Sequence, residues 1–162
     1  MSGPLQAGRW PLPAAPGAYA LALRLEHSVQ LQVGALGEAE FAAGVYLYLG
    51  SAHGPGGLRA RLGRHLEGRG RRRWHVDYLR AVAFPVAWAF TTAPAPGPPW
   101  ECVWSQALAA LPQAWVPLPG FGAADCRYGC PAHLIGLPAE APWRQMVPAV
   151  LGVPLKDIEP PA

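Results

Sequence analysis

Proline and glycine cut this chain into short pieces: 20 prolines and 19 glycines are spread over 162 residues. Proline removes a backbone donor and fixes φ, and glycine raises the entropy cost of ordering the backbone. Short elements joined by ordered turns, rather than long helices, are therefore expected. The same punctuation would suit a disordered chain, but 51% of the residues are apolar and seven are tryptophan. That composition supports a packed core, and the length suits one.

The uninterrupted pieces can be read by their periodicity. Residues 17–25 alternate, with Tyr19, Leu21, Leu23 and Leu25 on one face and alanines on the other. This is a strand closely packed on both sides. Residues 29–33 also alternate and are expected to pair with the first strand as a hairpin, with 34–43 as a connection. In the strand 44–50, Val45, Leu47 and Leu49 point one way and Tyr46 and Tyr48 the other. Beyond Gly54, Gly56 and Gly57, leucines at 58, 62 and 66 recur every fourth residue and predict an amphipathic helix over 58–67. Arg61 and His65 share that spacing and fall along the edge of its buried face. Residues 74–79 predict a short helix. Residues 84–90 predict an edge strand, because Pro85 cannot donate to a ladder. Residues 100–111 predict a helix with Val103, Trp104, Ala107, Leu108 and Leu111 inward, and 143–151 a proline-limited segment. Strands and helices are mixed rather than strictly alternating, which gives an α+β class.

The charge balance is modest, at +3, but twelve of the thirteen basic residues are arginine. Arginine bias reflects genome composition, phosphate binding or both. The N-terminus has no basic, apolar leader pattern, and the most apolar run, 81–90, is broken by Pro85 and too short to span a bilayer. Three cysteines are too few for a disulfide scaffold. A cytoplasmic, reduced protein with no membrane association is the expectation.

Three groups of residues carry chemistry. Tyr19, Tyr48, Arg61, His65 and Glu101 suit phosphodiester hydrolysis, which needs a base for water, a cation for the charge on phosphorus and an oxygen-bound metal. A tyrosine or histidine is the base, Arg61 holds the phosphate, and Glu101 carries Mg2+ or Mn2+. On the alternative reading the tyrosines are sheet aromatics, Arg61 is a surface cation and Glu101 is an acid favoured at a helix start. Arg59, Arg61, Arg64, Arg69, Arg71, Arg72 and Arg73 stand against the single acid Glu67. Such a run suits sequence-independent contacts to nucleic acid, or it is a solvated face. Cys126, Cys130 and His133, with Cys102 elsewhere, are zinc-type ligands; with no second close pair, the spacing argues only weakly for Zn2+. His75 and Asp77 beside Trp74 form a packed corner more readily than a metal site.

Gly17-Ala18-Tyr19 and Tyr48-Leu49-Gly50-Ser51, followed by Arg61 and His65, resemble the GIY-YIG nuclease superfamily. The stretches 44–65, Trp74-His75-Val76-Asp77-Tyr78-Leu79 and 125–134 are similar to a GIY-YIG-like family of unknown function found in bacteria and archaea and sometimes fused to or labelled as endonuclease III. The resemblance covers 17–137, leaving a proline-rich arm, 1–16, and a C-terminal extension, 138–162. It implies a small, mainly antiparallel central sheet flanked by helices. It also implies a metal-dependent endonuclease acting on DNA, with Tyr19 and Tyr48 orienting or deprotonating water, Arg61 and His65 beside them, and Glu101 holding the divalent metal. The alternative is a non-catalytic nucleic-acid-binding module on the same fold.

Overall fold

The strand that comes first in the chain lies in the middle of the sheet. A computed structural model describes residues 10–68 and 70–158, and the structural statements below concern those residues. The order of elements is β1 (Gly17–Leu25), β2 (Val29–Val33), β3 (Gly37–Phe41), β4 (Gly44–Ala52), α1 (Gly57–Glu67), α2 (His75–Arg80), β5 (Phe84–Thr91), α3 (Trp100–Ala109), β6 (Leu134–Leu137), α4 (Trp143–Leu151) and β7 (Lys156–Asp157). Five strands form one antiparallel sheet in the order β6-β4-β1-β5-β7. The class is α+β, with helices on both faces.

Alternation in β1 and β4 divides the core in two. Tyr19, Leu21, Leu23, Tyr46 and Tyr48 face Leu58, Leu62 and Leu66 of α1 and Val76 and Leu79 of α2. Each such aliphatic side chain contributes roughly 1.5–3 kcal/mol on burial. On the opposite face, Ala18, Ala20 and Ala22 allow Trp104 and Leu108 of α3 and Trp143, Val147 and Leu151 of α4 to pack closely. The last three recur every fourth residue, so α4 keeps its buried stripe although it contains Pro148.

The hairpin expectation for β2 is wrong. β1 already has β4 and β5 on its two edges, so β2 pairs instead with β3, within the supposed connection 34–43, as a separate two-stranded sheet. β5 is next to the edge rather than at it, because β7 pairs with Ala87 and Trp88. Pro85 lies outside that pairing, beside a register shift opposite Ala22 and Leu23. In α3, Val103 is exposed rather than inward, while Cys102 is buried.

Of the expected proline-rich arm 1–16, residues 1–9 lie outside the described residues, and 10–16 pack against the domain. Leu12 is buried, and the backbone oxygens of Ala15 and Pro13 accept from Leu58 N and Arg59 N at the start of α1. Those first helical amides have no partner within the helix. Gly57 is required there: its φ is +54°, and a β-carbon would lie 2.2 Å from the Ala15 oxygen. No helix among the described residues is long and apolar enough to cross a membrane.

Candidate functional site

A cleft of about 370 Å³ opens where β1 begins and β4 ends, and Tyr19, Tyr48, Arg61, His65 and Glu101 all line it. The strand register sets its floor. Tyr19 on β1 lies opposite Gly50 on β4, and a β-carbon at Gly50 would meet the Tyr19 phenol at 2.5 Å. Glycine at 50 therefore lets the Tyr19 ring cross the neighbouring strand. Arg61 projects from α1, donates to the Ser51 carbonyl at 2.9 Å and stacks on Trp74, 4.9 Å from the ring centroid. This leaves part of the guanidinium facing the cleft in a fixed orientation.

The floor is a chain of packed rings. Tyr48 lies against Tyr19, with ring centroids 6.2 Å apart, and the Tyr19 hydroxyl lies 3.1 Å from His65 Nε2. His65 is 2% exposed, and its Nδ1 lies 3.8 Å from Asp77 Oδ1 without a hydrogen-bond partner among the described residues. Burial raises Tyr19 well above the usual phenol range, and it pushes Tyr48 up to about 12. Burial also lowers His65 to about 4, although Asp77 acts in the opposite direction. At neutral pH the chain is thus two phenols and a neutral imidazole. The tautomer with Nδ1–H toward Asp77 leaves Nε2 to accept from Tyr19.

Asp77 holds the neighbouring wall. Its carboxylate accepts from Arg73 N, Trp74 N and both terminal nitrogens of Arg64. Burial alone would raise its pKa, but these hydrogen bonds outweigh it and keep the carboxyl below its usual range. Arg61, Arg64 and Arg73 all lie over Trp74. The packed-corner reading of His75 and Asp77 therefore fits. His75 Nδ1 accepts from Gly122 N, which ties α2 to the loop before β6.

The arginine run divides by position. Arg73 lines the cleft. Arg71 and Arg72 are exposed, and Arg72 lies over Tyr78. Arg59 donates to the Leu12 carbonyl, and Arg64 is occupied by Asp77 and the Arg71 carbonyl. Arg69 lies outside the described residues.

The cysteines and histidine come together. Donor atoms of Cys102, Cys126, Cys130 and His133 lie within 4.8 Å of one another and could hold a metal ion. Cys102 comes from the first turn of α3, and the other three come from the loop between α3 and β6. Three sulfurs and an imidazole suit zinc better than Mg2+ or Mn2+, so the weak sequence argument for zinc is strengthened by the fold. Burial pushes the Cys102 thiol well up and lowers His133. Burial would also raise Cys126, but hydrogen bonds from the Tyr128 and Cys130 backbones help bring it down.

Sequence reasoning left four site residues without a role at the cleft. Trp74 and Asp125 line it, Asp77 anchors its wall, and Cys102 completes the ligand cluster. Trp74 follows an arginine run, which is a usable signal for stacking. Cys102 was legible as a zinc-type ligand by its chemistry but not by spacing, and Asp125 reaches the cleft only through tertiary structure. A sequence profile of a domain of unknown function, DUF123, matches residues 18–152. No curated protein and no solved structure matches the chain.

Proposed function

The chain belongs to the DUF123 family, and we propose that it is a GIY-YIG-type, metal-dependent endonuclease that hydrolyses phosphodiester bonds, with DNA as the polymer. One observation supports this most: two phenols, an imidazole, a guanidinium and a carboxylate from four separate elements line one cleft. Glu101 and Asp125 supply carboxylates to the same cleft, a donor set that fits Mg2+ or Mn2+, ions that bind few protein ligands. Such an ion would supply charge neutralisation at the phosphate. Arg61, already held by Ser51 and Trp74, binds a non-bridging phosphate oxygen. Water forms the new oxygen–phosphorus bond as the bond to the leaving oxygen breaks. The proton lost from water passes through the Tyr19 hydroxyl to His65 Nε2, 3.1 Å away, with Tyr48 beside them at the cleft, while the leaving oxygen takes a proton from solvent. Asp77 then faces the imidazolium.

The test is nicking of flap, abasic, branched and RNA substrates with added Mg2+ or Mn2+. Cleavage is expected with the wild type and should fall roughly 100-fold or more in Arg61→Ala and Glu101→Ala while the circular dichroism is unchanged. Folded wild-type protein that cleaves none of these substrates would reject the reading.

A second reading has its own support. Tyr19 is 1% exposed, and burial drives both phenols toward the protonated form. A non-catalytic nucleic-acid-binding module would tolerate this. It predicts salt-sensitive binding without cleavage.

A further inference from the structure

We propose that Cys102, Cys126, Cys130 and His133 bind a single Zn2+ as a closed, structural Cys3His site that fixes the cleft wall carrying Glu101 and Asp125. This inference does not depend on the nuclease reading. Distances support it first. Cys102 Sγ lies 3.7 Å from Cys126 Sγ and 3.6 Å from His133 Nε2. With zinc–sulfur bonds of about 2.3 Å and zinc–nitrogen bonds of about 2.0–2.1 Å, tetrahedral geometry gives ligand–ligand edges of about 3.8 and about 3.6 Å. The cysteines are free thiols, and the Cys102–Cys126 separation is far beyond the disulfide bond length of about 2.05 Å.

The surroundings also suit thiolate ligands. Tyr128 N lies 3.4 Å from Cys126 Sγ, and Gln106 Nε2 lies 3.4 Å from Cys130 Sγ, so each sulfur receives an N–H donor. His133 is held on both sides. Its backbone donates to the Phe121 carbonyl and accepts from Leu49 N. Such outer bonds orient zinc ligands before the ion arrives. Four protein donors leave no open position, which is the pattern of a structural rather than a water-activating zinc.

The loop's position explains what the ion would do. The chain between α3 and β6 is long and contains no helix or strand. Its one large, fully buried side chain is Phe121. Cys126 and Cys130 would tie its outer part to α3 through Cys102, the residue after Glu101. Cys126, His133, Glu101 and Asp125 all line the cleft. Zinc would therefore set the wall without taking part in the reaction.

The test uses the full chain, purified under reducing conditions without added chelator. Elemental analysis should find about one zinc per chain, and cobalt exchanged for zinc should give strong tetrahedral d–d absorption with thiolate charge-transfer bands. A Cys126→Ser/Cys130→Ser variant should lose the bound metal. Should that variant fail to fold, alkylation of the wild type decides the matter. Stripping zinc with a chelator should speed modification of the cysteines by about tenfold or more, and restored zinc should reverse this. Folded, reduced wild type that binds neither zinc nor cobalt would overturn the proposal, as would alkylation unaffected by zinc.

Discussion

His65 shows how burial decides the state of a single residue. Its value of about 4 is set first by desolvation, and the Asp77 carboxylate only partly offsets this. In the unfolded chain the same imidazole titrates near its ordinary 6.5. Above that pH both states are neutral and there is no penalty. As the pH falls through 6.5, the unfolded chain takes up a proton that the native chain refuses until about 4, so stability is lost across this window. The full loss is about 3 kcal/mol. Urea unfolding at pH 7 and pH 4.5 should show most of that difference in the wild type and little in His65→Gln. Burial also lowers His75 and His133, so a smaller acid dependence should remain. Equal pH dependence in variant and wild type would remove His65 as the cause. The position of His65 was readable from its place one residue behind the leucine stripe. Its protonation state was not, because that depends on Tyr19, Tyr48 and Asp77 closing over it.

At the scale of the element, α2 and the arginine segment before it act as one unit, and Asp77 joins them. Its carboxylate takes the two amides entering the helix and pairs with Arg64 of α1. Asp77→Ala should cost about 1–3 kcal/mol and speed amide exchange at Arg73 and Trp74. Asp77→Asn keeps one side-chain acceptor and should show a smaller effect. Exchange at those amides unchanged in Asp77→Ala would refute this role. Elements whose own residues carry the pattern were legible in the sequence, and α1, β1 and β4 match their expected faces. The partner of β2 was not legible, because alternation identifies a buried face but not a neighbouring strand. Nor was the rotation of α3. Val103 looked like core by type, yet the helix turns Cys102 inward toward His133 and leaves Val103 exposed.

For the whole molecule, the net charge of +3 matters less than where the arginines stand. Arg71, Arg72 and Arg73 are exposed beside the cleft wall, whereas Arg59 and Arg64 are bonded within the protein. If these three contact phosphates, replacing them with alanine should reduce the salt slope of nucleic-acid binding by about 2–3. Titrations of a labelled oligonucleotide across salt concentrations would check this, and an unchanged slope would exclude that face. The convergence of Tyr19, Tyr48, Arg61, His65 and Glu101 was a requirement the sequence could pose but not answer. Strand order answers it: β1 lies between β4 and β5, and α3 begins at the same end of the sheet. That placement of β1 also imposes a timetable. The strand is synthesised first, but its partners are not made until residues 44–52 and 84–91. During synthesis an apolar strand therefore waits with both edges unpaired until β4 is made, and with one edge still unpaired until β5 follows. Such chains fold slowly and are most exposed to misassociation while they are being made.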